Sequence, residues 1–70
     1  MNRTPVSSSS LAAIGYDRDL NTLEVEFRNG RCYQYYAVPP HLADGLMSAT
    51  SKGSYLNRLI RDRFPVKRVF

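Results

Sequence analysis

Four adjacent residues, Ser51-Lys52-Gly53-Ser54, bring two hydroxyls, an ammonium and a backbone without a side chain to what reads as the start of a helix. A helix start presents unpaired N–H groups and a partial positive charge, and together these accept anions. Gly53 lets a ligand come close to the backbone, Lys52 adds a full charge, and Tyr55, Asn57, Arg58 and Arg61 follow within the next turns. The segment is not a P-loop, because the spaced glycine and the Lys-Ser/Thr pair are missing. Ser51 or Ser54 acting as an ordinary helix cap explains the same residues, so anion binding and capping stand side by side.

Aromatic and basic residues interleave in a second place. Arg31, Tyr33, Tyr35 and Tyr36 fall in one short strand and could stack unpaired bases, while Arg58, Arg61, Arg63, Lys67 and Arg68 could meet phosphates. A flat aromatic surface also suits a protein partner. Catalysis has less to work with. His41, after Pro39-Pro40 near a helix start, reads as a surface residue, and Cys32 as a small packing residue in a strand. No third residue with an orienting role accompanies them. Glu24 and Glu26, two apart on one strand face, read as solvated carboxylates, and no His, Cys or carboxylate cluster has metal-ligand spacing. The expectation is a protein with no catalytic residues, no metal site and no cofactor.

Strands have to position the aromatic set. Leu11 to Asp17 reads as a strand in which Gly15 marks a bulge or a close backbone approach; Asp17 to Asn21 is a turn-forming loop. Leu23, Val25 and Phe27 alternate with Thr22, Glu24, Glu26 and Arg28, the period of a half-buried strand. Asn29-Gly30 then signals a hairpin, and the chain returns through Arg31 to Tyr36. Two registers are open. A two-residue turn pairs Arg28 with Arg31 and sets Cys32, Gln34 and Tyr36 beside Phe27, Val25 and Leu23. A three-residue turn with Gly30 in a bulge pairs Phe27 with Arg31 and sets Tyr33 and Tyr35 beside Val25 and Leu23. One slipped residue exchanges the faces. The bulge gathers more apolar area on one face and is favoured, which makes Tyr33 and Tyr35 mostly core.

Helices follow. Val38-Pro39-Pro40 ends the strand, and Pro40 suits a first helical turn. Leu42, Leu46, Met47 and Ala49 share a stripe, in a helix that Gly45 weakens. A second helix runs from Ser51 or Ser54 to Phe64, with Leu56, Leu59, Ile60 and Phe64 buried and Arg58, Arg61 and Asp62 pointing away. Pro65 stops it, and Val66 to Phe70 can extend. The class is α+β: a small antiparallel sheet of about three strands (β-β-β), then two short helices, with a short C-terminal strand as an option.

Seventy residues make one domain, read as a flexible N-terminus over 1–5 and a folded unit over 6–70. One core of this size supplies only ~3–5 kcal/mol of net stability, which leaves self-assembly or docking to a partner open. A 43% apolar and 23% charged chain is globular rather than disordered. A single cysteine excludes a disulfide scaffold. The longest apolar run, Leu11-Ala12-Ala13-Ile14, is too short to span a membrane, and no signal peptide is read, so a cytoplasmic protein is expected. The net charge of +4 is concentrated: residues 51–70 hold Lys52, Arg58, Arg61, Arg63, Lys67 and Arg68 against Asp62 alone. Such asymmetry hints at an anionic partner, although a basic helix face is often only a solvated surface.

The ordered series Val6-x-Ser8-Ser9, Ile14-Gly15-Tyr16-Asp17, Leu23-x-Val25-x-Phe27, Asn29-Gly30, Tyr33-Gln34-Tyr35, Val38-Pro39 and Ala49-x-Ser51-Lys52-Gly53-x-Tyr55-x-Asn57 with Ile60-Arg61 resembles the KTSC domain family over residues 6–69. Leu56 departs from it, standing where an aromatic residue is common, which alters packing more than chemistry. The resemblance implies a free-standing small bacterial or phage member of a family that also forms a C-terminal appendage on some lysyl-tRNA synthetases, with RNA binding as its suggested activity. The expected function is therefore a non-catalytic module binding RNA or another phosphate-bearing ligand. Ser51, Lys52, Gly53, Ser54, Tyr55, Asn57, Arg58, Arg61, Lys67 and Arg68 would meet the ligand, and Tyr33, Tyr35 and Tyr36 would stack bases. The alternatives are a protein-interaction or self-assembly module, and a nucleotide- or phosphate-sequestering protein built around Ser51 to Arg61.

Overall fold

A computed structural model describes residues 2–70. Its elements run β1 (Thr4–Pro5), β2 (Leu11–Asp17), β3 (Thr22–Phe27), β4 (Cys32–Tyr35), α1 (Pro40–Ser48), α2 (Lys52–Leu59) and β5 (Val66–Arg68). The strands form one five-stranded antiparallel sheet in chain order. The α+β class is as expected, but the sheet is wider than about three strands. The tail supplies β5 on β4. Thr4–Pro5, placed by the sequence reading in a flexible N-terminus, pair with Ala13 and Ile14. The proline sits on an edge strand, where its missing N–H costs no ladder bond, and the next residue ties in through Val6 N–H donating to Ala12 O at 3.1 Å.

The β3–β4 hairpin adopts the bulge register. Leu23 pairs with Tyr35, Val25 with Tyr33 and Glu26 with Cys32. The Phe27 amide donates to Arg31 O at 2.9 Å, the Gly30 amide donates to Phe27 O at 3.0 Å, and Gly30 has φ +90°. Glycine enters that backbone region without steric cost, so Asn29-Gly30 favours this register and the register selects the faces. In β2 the bulge lies between Leu11 and Ala13, at Ala12, whereas Gly15 pairs regularly with Glu24. Arg3 precedes Thr4, the partner of Ile14, and so lies level with Gly15. With no side chain in the way, the Arg3 guanidinium crosses β2 to reach Glu24 at 3.3 Å.

Both helices cover one face of the sheet. Leu11, Ile14, Leu23, Val25 and Tyr35 pack there with Val38, Ala43, Leu46, Leu56 and Ile60. On α1 the buried stripe is Ala43 and Leu46; Met47, expected inside, is exposed. The helix turns so that Gly45 meets α2: a Cβ on Gly45 would lie 2.8 Å from the Tyr55 ring carbon Cζ. The α2 helix ends at Leu59 rather than Phe64. The amides of Ile60 and Arg61 both donate to Leu56 O, at 3.0 and 2.8 Å, which breaks the regular ladder. Arg63 Nε then donates to Arg58 O at 3.1 Å, satisfying one of the carbonyls that a helix end leaves open. No helix among the described residues is long and apolar enough to cross a membrane.

Candidate functional site

The hairpin, α2 and the turn after it enclose a groove of about 350 Å³. Register places its floor: Tyr33 and Tyr35 face the helices beside Val25 and Leu23, and Tyr33 meets Phe27 edge-on, ring centroids 5.6 Å apart. Arg31 from the hairpin, Asn57 from α2, Arg61 and Asp62 from the turn after it and Val66 from β5 form the walls. Arg61 follows Asn57 by four residues, in the turn after α2, and its Nη1 donates to Asn57 Oδ1 at 3.4 Å. Tyr35 is buried, and burial pushes its hydroxyl above the ordinary phenol range; Arg61 pulls the other way, and Tyr33 and Asp62 add to the rise.

A second hollow, about 320 Å³, lies at the other end of α2, between Ser8–Ser10 and Thr50–Ser54. Asn57 lines both. Ser51 is the residue before the first turn, but its hydroxyl donates to Ser54 Oγ at 3.1 Å and caps no backbone amide. Lys52 Nζ curls back to donate to Ala49 O at 2.9 Å. Gly53 does allow a close approach, and Ser10 takes it up: a Cβ on Gly53 would lie 2.7 Å from Ser10 Oγ.

A family model described as the KTSC domain matches residues 7–64. The chain belongs to the KTSC domain family. A crystal structure of a KTSC domain protein from Yersinia pestis is 40% identical and aligns with a TM-score of 0.95 over 99% of this chain and 97% of that one. An uncharacterized protein of Stutzerimonas stutzeri is 43% identical over 61 residues, 87% of this chain and 86% of that protein. A lysine–tRNA ligase of Nostoc punctiforme is 33% identical over 61 residues, which span 87% of this chain and 11% of the ligase.

In this KTSC domain the residues picked from sequence divide among several places. Tyr33, Tyr35, Asn57 and Arg61 meet in the groove, and Ser51, Lys52, Gly53 and Ser54 in the hollow. Tyr55 is taken up by packing: its ring lies against Gly45, and its hydroxyl donates to Leu42 O at 3.0 Å. Arg58 is exposed on α2 outside both depressions. Arg68 is level with Tyr33 at the sheet edge, whereas Lys67 pairs with Gln34 and so faces the uncovered side of the sheet. Tyr36 is on that side too, donating to Gln34 Oε1 at 3.0 Å.

Sequence reasoning missed the serines at 8–10 as part of the hollow and Asp62 as a wall of the groove, although Asp62 is exposed as expected. It also read Glu24 and Glu26 as solvated. Glu24 is buried, and Arg3 bridges the pair, at 3.3 Å to Glu24 and 3.6 Å to Glu26. The same guanidinium donates from Nη1 to Cys32 Sγ at 2.7 Å. That thiol is buried on the uncovered side, while exposed His41 starts α1 on the covered side. Among the described residues no three His, Cys, Asp or Glu side chains converge.

Proposed function

We propose that this KTSC domain is a non-catalytic module that binds single-stranded RNA along α2. Bases would lie in the tyrosine-floored groove, and phosphates would meet Arg31, Arg61 and the neighbouring basic residues of the C-terminal segment. The observation that carries this reading is the state of the cations. Among the described residues only Arg3 and Arg18 have a carboxylate within 4.0 Å, so Arg31 and Arg61 flank an aromatic groove without an ion-pair partner, two cations against the single carboxylate of Asp62. Single-strand binders combine these same two features, a cationic track and rings for stacking. Relatives named lysine–tRNA ligases carry the domain in proteins whose substrate, by name, is a tRNA. Such a module would act in the cytoplasm.

Titration of the labelled domain with tRNA and with short single strands, at two salt concentrations, tests the reading. Amide resonances of Arg31, Tyr33 and residues 51–68 should shift, and affinity should fall steeply with salt. No shifts at low salt would end it. A second reading, self-assembly, draws on β5, whose residues are all exposed, and on Phe70, which is 79% exposed beyond it. Its mark would be a dimer in light scattering that responds to neither salt nor nucleic acid.

A further inference from the structure

Resting on that reading, we infer that the groove selects a guanine base of single-stranded RNA. Among the described residues every buried polar side-chain atom has a hydrogen-bond partner, so unpaired groups are those open to solvent or to a ligand. Of the five tyrosines, Tyr16, Tyr36 and Tyr55 donate their hydroxyls to Val38 O, Gln34 Oε1 and Leu42 O. The two whose hydroxyls have no partner among the described residues, Tyr33 and Tyr35, both line the groove. Tyr35 is only 4% exposed, and what remains open includes its hydroxyl, since among the described residues no buried side-chain polar atom lacks a partner. Carboxylates repeat the pattern. Asp17 accepts from the Asp19 and Leu20 amides, Asp44 from Arg18, Glu24 from Gln34, and Glu26 pairs with Arg3. That leaves Asp19 and Asp62, both exposed in turns, of which Asp62 stands in the groove wall next to Arg61.

A lone carboxylate in a groove for an anionic polymer opposes phosphate, so its use lies with the base. A carboxylate offers only acceptors. Guanine presents two adjacent donors, N1–H and the 2-amino group, which fit its two oxygens. Adenine and cytosine each set an acceptor nitrogen beside their amino group, and uracil flanks its single N–H with two carbonyls. The remaining groove groups suit the rest of guanine: O6 and N7 are acceptors that an arginine can take, and the Tyr35 hydroxyl can donate to O6. About 350 Å³ is near the small end of ligand sites, which run roughly from 300 to 1,000 Å³, and suits one nucleoside.

Fluorescence anisotropy of the full chain with the labelled RNA pentamers UUGUU, UUAUU and an inosine analogue, UUIUU, tests this at low salt. Wild type should bind the guanine strand about tenfold more tightly than the adenine strand, as one bidentate base contact provides. Inosine, which keeps N1–H and lacks the 2-amino group, should fall between them. Asp62→Asn should bring guanine and adenine together without weakening the adenine strand. Tyr35→Phe, which keeps the ring in the core, should weaken the guanine strand; amide spectra confirm that both variants fold. Equal wild-type affinities, or a guanine preference that survives Asp62→Asn, would overturn the inference and leave RNA binding standing. No binding to any pentamer would remove both.

Discussion

At Tyr35 the ring and the hydroxyl answer to different surroundings: the ring closes the core against Leu23, while the oxygen opens on the groove. Burial raises the phenol pKa here and at Tyr16, where Arg18 opposes the rise and Asp44 and Asp17 add to it. Unfolded, both phenols ionise near pH ~10. Below that pH they are protonated in both states and contribute no slope. As pH climbs through the higher native values the unfolded chain sheds its protons first, so stability falls. Urea midpoints should therefore hold steady to about pH 10 and then drop, with a shallower drop in Tyr35→Phe. A midpoint unchanged through alkaline pH would contradict this. Gly30 gives a second prediction at this scale: at φ +90°, Gly30→Ala should cost about 1–2 kcal/mol, read from the same urea midpoints. That glycine was legible in the sequence, because Asn-Gly between alternating strands has one conformational meaning. The division of the tyrosines was not fully so, since two turn lengths fit the pattern and only the bulge pairs Tyr33 with Val25.

Among the elements, α1 and α2 are held at a distance set by one missing Cβ. Replacing Gly45 with alanine in an exposed helix would stabilise it by about 1 kcal/mol on propensity alone. Here the added carbon would press on the Tyr55 ring, and overpacking costs ~1–3 kcal/mol. Gly45→Ala should be destabilising, and Gly45→Ala with Tyr55→Leu should recover part of the loss; thermal melts of the two variants and Tyr55→Leu alone would show the coupling. An additive pair would mean that the ring moves aside freely. Sequence marked Gly45 as a weakness in a helix because propensity sees only the helix it sits in. The same blindness hid β1. Thr4–Pro5 is too short for periodicity, and its place is fixed by Arg3 reaching across Gly15 to carboxylates more than twenty positions away. Arg3→Ala should lower the melting temperature and loosen the amides of residues 4–6 to hydrogen exchange, and unaltered protection there would show that β1 stands without the ion pairs. By contrast β2, β3 and β4 were readable in place, since alternation and Asn-Gly punctuation act over a few residues. The early end of α2 was not, because its 3.6-residue stripe runs on to Phe64 while the backbone leaves the ladder at Ile60.

Across the whole molecule, charge is sorted by the sheet. On the uncovered face Glu24 and Glu26 are neutralised in part by Arg3, with Gln34 and Lys67 beside them. On the helix side Arg31 and Arg61 line the groove, Arg68 stands at its edge next to Tyr33, and none has a carboxylate within reach among the described residues. The excess of positive charge in residues 51–70, visible in composition, therefore divides in space, with Lys67 turned away from the arginines. An anionic strand should feel that division. Single strands release about 0.7 counterion per phosphate neutralised, so engagement by Arg31, Arg61 and Arg68 predicts a slope of roughly −2 for the logarithm of affinity against that of salt concentration. Removing one of these arginines should flatten the slope by about 0.7 and weaken all sequences alike, whereas Lys67→Ala should leave it unchanged. Anisotropy at several salt concentrations measures each slope. The placement of charge, rather than its sum, makes the difference between those variants: if Lys67→Ala flattens the slope as much as Arg61→Ala does, the strand runs over the open face of the sheet and not along α2.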